Sequence, residues 1–131
     1  MSDEFFRENI LDHFRNSAHR GTLEQPDFTY EDVNPLCGDR IRVDLQVRDG
    51  AIVAARFSGT GCSISQAAAS MLCERVEGMT LDDAKRVGRD DMLEMLGIEL
   101  GPVRLKCGLL ALKTLKAGAY GMNQWPGEEG S

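Results

Sequence analysis

A chain of 131 residues, 42% of them hydrophobic, is long enough to bury one core without disulfide staples. Only 6% are aromatic, so that core should rest on Leu, Ile, Val, Ala and Met. The formal charge of −6, from 21 acidic and 15 basic residues, argues against a nucleic-acid binder, which needs clustered positive charge, and suits a protein that meets protein partners.

The first segment, Asp3 to about Phe14, places Phe6, Ile10, Leu11 and Phe14 at helical spacing and predicts an amphipathic helix ending near Asn16. It is charged and lacks the apolar run of an export signal, and no later run could span a bilayer. The cytoplasm is therefore the expected compartment, with no membrane partner. His13 and His19 fall in or just after the helix; solvated or capping roles suit them better than ligation. A loop broken by Gly21 and Pro26 follows.

Phe28 to Val33 reads as a first strand. After the turn-rich Asn34-Pro35-Leu36-Cys37-Gly38-Asp39 loop, Ile41, Val43, Leu45 and Val47 alternate with Arg40, Arg42, Asp44 and Gln46, a half-buried strand with a polar outer face. Arg48-Asp49-Gly50 carries the Asp-Gly signal of a tight hairpin, and Ile52 to Phe57 returns as the partner strand.

The period then changes. Behind Ser58-Gly59-Thr60-Gly61-Cys62, apolar residues at Ile64, Ala67, Ala68, Met71, Leu72 and Val76 form a helical stripe that begins near Cys62 or Ser63. Thr80 followed by Asp82 and Asp83 is the capped start of a short helix, and Gly88 ends it. Asp90 to Leu96 is a second short helix closed by Gly97. Pro102 suits the first turn of a last helix carrying Val103, Leu109, Leu110, Leu112 and Leu115. The expected organisation is one domain over residues 1–118 and a flexible tail over 119–131, with Trp125 either a docking anchor or an incidental exposed residue. The fold class is α+β: a small antiparallel three-stranded sheet with helices packed on one face.

Chemistry concentrates at the cysteines. In a reducing compartment four Cys point to metal binding or thiol chemistry rather than to disulfides. Cys37 lies in the Pro/Gly/Asp loop, Cys62 opens a helix after Gly-Thr-Gly, and Cys107 follows Lys106 about one turn into the last helix. Each is read as lying at an element end, where outward N–H groups favour a thiolate, the form that ligates metals and attacks sulfur. Cys73, inside the helical stripe, reads as a small core residue. Asp39 shares a tight loop with Cys37 and either caps its own turn or supplies a carboxylate ligand. Arg40, Arg104 and Lys106 are candidate supporting charges against three thiolates and a carboxylate, more than Zn²⁺ cancels. An oxygen donor among soft thiolates would be the weakest-held ligand, hence an exchangeable position.

Three strings carry a resemblance: Asn34-Pro35-Leu36-Cys37-Gly38-Asp39-Arg40, Phe57-Ser58-Gly59-Thr60-Gly61-Cys62-Ser63-Ile64-Ser65 and Arg104-Leu105-Lys106-Cys107. They resemble the U-type proteins of iron–sulfur cluster assembly, the IscU/SufU/NifU N-terminal domain family, up to about Gly118. The resemblance implies a SufE/NifU-like α+β fold. It implies Cys37, Asp39, Cys62 and Cys107 as metal ligands, and Cys107 or Cys62 as the acceptor of persulfide sulfur from a cysteine desulfurase of the SufS/IscS/NifS type. Such a protein relays the sulfur with Zn²⁺ bound, or builds a [2Fe–2S] cluster for apo iron–sulfur acceptor proteins. Lys106, where the IscU branch has His, together with Gly-Cys-Ser-Ile-Ser, is similar to the SufU branch and favours zinc. The stretch from Glu74 to Gly101 is nevertheless too short for that branch's usual insertion. Leu100-Gly101-Pro102-Val103-Arg104 only partly resembles the Leu-Pro-Pro-Val-Lys segment that IscU proteins offer to a heat-shock chaperone, which weakens the case for that partner. Outside the family, the same residues suit a structural zinc-binding interaction module.

Overall fold

The computed structural model describes residues 3–35, 38–122 and 125–126. Its elements in chain order are α1 (Asp3–Arg15), β1 (Phe28–Asn34), β2 (Asp39–Arg48), β3 (Ala51–Thr60), α2 (Ser63–Val76), α3 (Leu81–Lys85), α4 (Arg89–Leu96) and α5 (Pro102–Tyr120). The strands form one antiparallel sheet in the order β1-β2-β3. Asp49 and Gly50 both take positive φ, 55° and 79°, as a two-residue turn matched to strand twist requires.

Strand alternation decides which residues face the helices. Ile41, Val43 and Leu45 are buried and sit opposite Gly59, Phe57 and Ala55 of β3. Helices α2 and α5 pack on the sheet, α1 packs on α2, and α4 packs on α5. Residues 64–73 of α2 are all buried, as expected of a helix enclosed by the sheet and two other helices. This is the α+β arrangement that the sequence predicts.

Near the C-terminus one feature departs from expectation, and at Trp125 one of two expected alternatives is met. The last helix continues past Gly118 to Tyr120 and is closed by Gly121 in the left-handed conformation. Gly118 does not break it: a Cβ there would lie 2.7 Å from Cβ of Tyr30, so the missing side chain lets α5 lie directly on β1. Trp125 packs against the core, its ring 5.0 Å from Nζ of Lys106 and 5.3 Å from Nζ of Lys113, which itself pairs with Asp32.

The outer sheet face is not uniformly wet either. The strap before β1 pairs with β3, with Gly21 N–H to Phe57 O at 2.7 Å and Phe57 N–H to His19 O at 2.9 Å. It continues to Asp27, whose N–H meets Leu45 O at 2.8 Å. Beneath it Asp44 is only 1% exposed. The Asp44 carboxylate accepts from Leu23 N–H (3.0 Å), Thr29 Oγ1 (2.6 Å) and Arg42 Nε (2.9 Å). Burial pushes this carboxyl upward, but those hydrogen bonds and the Arg42 charge outweigh it and hold the group below its ordinary value.

Candidate metal centre

At one end of the sheet, Asn34 and Asp39 pair across β1 and β2, and Gly38 N–H donates to Asn34 O at 2.8 Å. Strand alternation turns Asp39 inward, where it is 3% exposed, while Arg40 points to the opposite face and pairs with Glu31 at 2.8 Å. The chain leaves β3 through Gly59, Thr60 and Gly61. Gly59 takes φ of 140°, and a Cβ there would strike Arg40 O at 2.0 Å. Gly61 takes φ of 149°, and a Cβ there would lie 2.6 Å from Oδ1 of Asp39. The Gly-Thr-Gly string is thus what brings the α2 N-terminus onto the Asp39 carboxylate.

Cys62 is the N-cap residue of α2. Its N–H donates to Asp39 Oδ1 at 3.1 Å, its thiol meets Oδ2 at 3.4 Å, and Ser65 Oγ lies 3.8 Å from its sulfur. The partial positive charge of the helix N-terminus therefore faces the buried carboxylate. From the other side α5 presents Cys107, 2% exposed, whose sulfur accepts from Asn34 Nδ2 at 3.7 Å. Ligand atoms of Asp39, Cys62 and Cys107 all lie within 4.8 Å of one another. A tetrahedral centre with Zn–S bonds of about 2.3 Å needs donors about 3.8 Å apart, a spacing that falls within that bound. Two sulfurs and one carboxylate are a donor set that suits zinc or iron.

Of the residues singled out in the sequence, Cys37 lies outside the described residues. Cys107, the sixth residue of α5, lies in the helix's second turn rather than at its end, so its own N–H belongs to the helix ladder. Arg104 is exposed and, with Arg7, flanks an apolar groove of about 320 Å³ beside Ser63 and Ile64. Lys106 faces Trp125. Neither histidine joins the ligand group among the described residues: His13 Nδ1 meets Ser70 Oγ at 2.8 Å, and His19 Nε2 lies 3.5 Å from Glu77. Cys73 is 1% exposed, and burial pushes its thiol up to about 12, so it stays protonated in the core.

The NifU-like N terminal domain family matches residues 5–127. The chain belongs to this family. Among relatives, the zinc-dependent sulfurtransferase SufU of Bacillus subtilis is 31% identical over 133 residues, covering 88% of this chain and 90% of the relative. That span exceeds the length of this chain, so gaps fall on its side of the comparison. The iron–sulfur cluster assembly scaffold protein IscU of Thermotoga maritima is 35% identical, covering 85% of this chain and 89% of the relative. The IscU of Escherichia coli (strain K12) is 34% identical, covering 86% and 89%. A crystal structure of the putative iron–sulfur cluster assembly scaffold protein for the SUF system of Fervidobacterium islandicum superposes with a TM-score of 0.73 at 29% identity. It covers 91% of this chain and 99% of that one. The N-terminal NifU-like protein of Brucella abortus gives a TM-score of 0.69 at 26% identity, over 86% and 90%.

For this NifU-like domain the residues without an assigned role in the sequence reading are Asn34, Ser65 and Gln66. Asn34 is fully buried and bonds the Cys107 sulfur; Ser65 Oγ donates to Cys62 O at 3.0 Å. Gln66 Nε2 donates to Gly61 O at 3.0 Å. Asn34 and Ser65 belong to the strings that carry the family resemblance, and Gln66 falls one residue beyond the second of them; all three lie three or four residues from a candidate ligand.

Proposed function

We propose that the protein serves iron–sulfur cluster assembly by accepting persulfide sulfur from a cysteine desulfurase at a zinc site formed by Cys37, Asp39, Cys62 and Cys107. The observation that carries this reading is the convergence of a buried carboxylate and two sulfurs, one exposed and one buried, at a helix N-terminus. Bound zinc would keep the thiolates deprotonated and supply Lewis acidity.

Among the described candidates Cys62 has the access that attack requires, because Cys107 is buried. The Cys62 thiolate attacks the outer sulfur of the donor's persulfide. A new S–S bond forms to Cys62, the donor's S–S bond breaks, and its electron pair leaves on the donor cysteine as thiolate. Any proton on the outer sulfur travels with it, so no oxidant is needed. Asp39, which holds the Cys62 N–H, keeps that thiol aimed into the site between turnovers. Cys107, within reach on the inner side, is the next acceptor.

Among the described residues no helix is long and apolar enough to cross a membrane, and a cytoplasmic location accords with that. The chain's 34–35% identity to IscU proteins favours one second reading, in which the same donors hold a [2Fe–2S] cluster as cargo for apo acceptors.

The deciding experiment supplies [³⁵S]cysteine and a cysteine desulfurase to the zinc-loaded protein. Label should appear on the wild type and on Cys73→Ser and fall to background on Cys62→Ser; undiminished label on Cys62→Ser overturns the assignment. Anaerobic iron–sulfide reconstitution that yields a chromophore transferable to an apo-ferredoxin would instead establish the cargo reading. Zinc that binds with neither sulfur uptake nor a cluster would leave a structural zinc module.

A further inference from the structure

Cys62 sits where the backbone is least constrained, directly after Gly61 at φ of 149° and three residues after Gly59 at φ of 140°. Its neighbouring peptides are nevertheless tied down. The Cys62 carbonyl accepts from Ser65 Oγ at 3.0 Å and Gln66 N–H at 3.3 Å, and the Gly61 carbonyl accepts from Gln66 Nε2 at 3.0 Å. Gln66 is only 8% exposed, and its other amide atom, Oε1, accepts from Arg20 Nη1. Arg20 is fixed in turn. Its guanidinium lies 5.9 Å from the Phe14 ring and 5.2 Å from the Phe57 ring, and Nη2 donates to the Phe14 carbonyl in the last turn of α1.

We propose that Arg20 and Gln66 are positioning residues for Cys62, a guanidinium–amide clamp that fixes the Gly61–Cys62 peptide and so aims the thiol at Asp39 and Cys107. The chemistry of the chain of bonds gives it one sense only. Guanidinium donates and cannot accept, a peptide carbonyl accepts and cannot donate, and an amide offers one of each. The Gln66 amide therefore has one orientation that satisfies both neighbours, and Arg20 selects it. Without that donor, rotation of the Gly61 peptide would carry Cys62 N–H off Asp39 Oδ1. The clamp spans from α1 through the strap to α2, so the site end of α2 is held by segments that supply no ligand. The inference rests on the reading of Cys62 as ligand and acceptor, and takes it further.

The test uses the full chain stripped of metal, with Gln66→Glu as the decisive variant. Glutamate keeps the length of the side chain and still accepts from Arg20, but at neutral pH it cannot donate to Gly61 O. Two readouts need no sulfur donor: the rate at which iodoacetamide labels Cys62, located by mass spectrometry with buried Cys73 as internal reference, and Co²⁺ affinity by competition with a chromophoric chelator. Labelling should become several-fold faster and Co²⁺ binding about 10-fold weaker, while the melting temperature changes little. Gln66→Leu should change labelling and Co²⁺ affinity in the same direction and, because it also removes the acceptor for Arg20, lower the melting temperature as well. If Gln66→Glu labels and binds like the wild type, the pair merely braces α1 against α2 and the proposal is overturned. If Gln66→Leu does not fold, Gln66→Glu still decides. A wild type that takes up no sulfur, but in which Gln66→Glu loosens Cys62, would remove the functional reading and leave the clamp standing.

Discussion

Gly61→Ala tests whether the Gly-Thr-Gly string serves the site or only the turn. The new Cβ would meet Oδ1 of Asp39 at 2.6 Å, its Cγ at 2.7 Å and Ser65 Oγ at 2.9 Å, all at φ of 149°. Relief requires the carboxylate to retreat on the order of 1 Å, since carbon contacts settle near 3.5 Å or beyond. Backbone strain at such φ costs about 1–3 kcal/mol, and an overpacked contact costs about 1–3 kcal/mol more. With a loss of ~3 kcal/mol and a urea dependence near ~1.5 kcal/mol per M, the unfolding midpoint should fall by about 2 M. Set against a typical domain's stability of about 5–15 kcal/mol, such a loss leaves a net stability of about 2 kcal/mol or more, so the variant should still fold. The displaced Asp39 would then show as Co²⁺ affinity lowered about 10-fold or more in the refolded variant. Gly78→Ala is the control, because its φ of 97° carries the strain while its Cβ meets only open space. It should lose only the strain contribution and bind Co²⁺ normally. Equal midpoints and equal Co²⁺ affinities for Gly61→Ala and wild type would refute the collision.

Asp44→Asn should cost about 2–4 kcal/mol at neutral pH, because the buried acceptor of Arg42, Thr29 and Leu23 loses its charge and one of its acceptor atoms. The folded-state pKa of Asp44 is depressed, so its contribution is complete above the unfolded value near 3.8 and disappears as pH falls through the folded one. Urea titrations between neutral pH and about pH 3 should show the variant's deficit narrowing in acid; a constant deficit would refute the linkage. Gly118→Ala gains about 1 kcal/mol of helix propensity but drives a Cβ to 2.7 Å from Tyr30, so it should lower the melting temperature. A variant as stable as the wild type would show that α5 can move off β1 without loss.

The sequence by itself determined every element whose cause is local. Alternation in β2, the Asp49-Gly50 turn, the Thr80 cap, Gly97 as a helix terminator and Pro102 as a helix opener all act through neighbours within a few residues. Thr80, for example, accepts from Asp83 N–H at 3.1 Å, as the string predicts. The motif strings likewise marked Asp39, Cys62 and Cys107, and the period change after Phe57 separated the strands from the helices that carry two of those residues.

What tertiary structure alone decided are the contacts between segments distant in the chain. Gly118 reads as the end of the ordered domain until Tyr30 is laid against it, and Asp44 reads as a wet outer residue until the strap over residues 19–27 covers it. Arg40 looks like a counter-charge for the adjacent Asp39, yet strand pleating sends neighbours to opposite faces and gives Arg40 to Glu31. Cys107 draws its polar neighbour Asn34 from 73 residues away, and Cys62 draws Asp39 from 23. Local propensity carries no record of such pairings. They follow from burial of the sheet's inner face against α2 and α5, which closes the distance only once the whole core has formed.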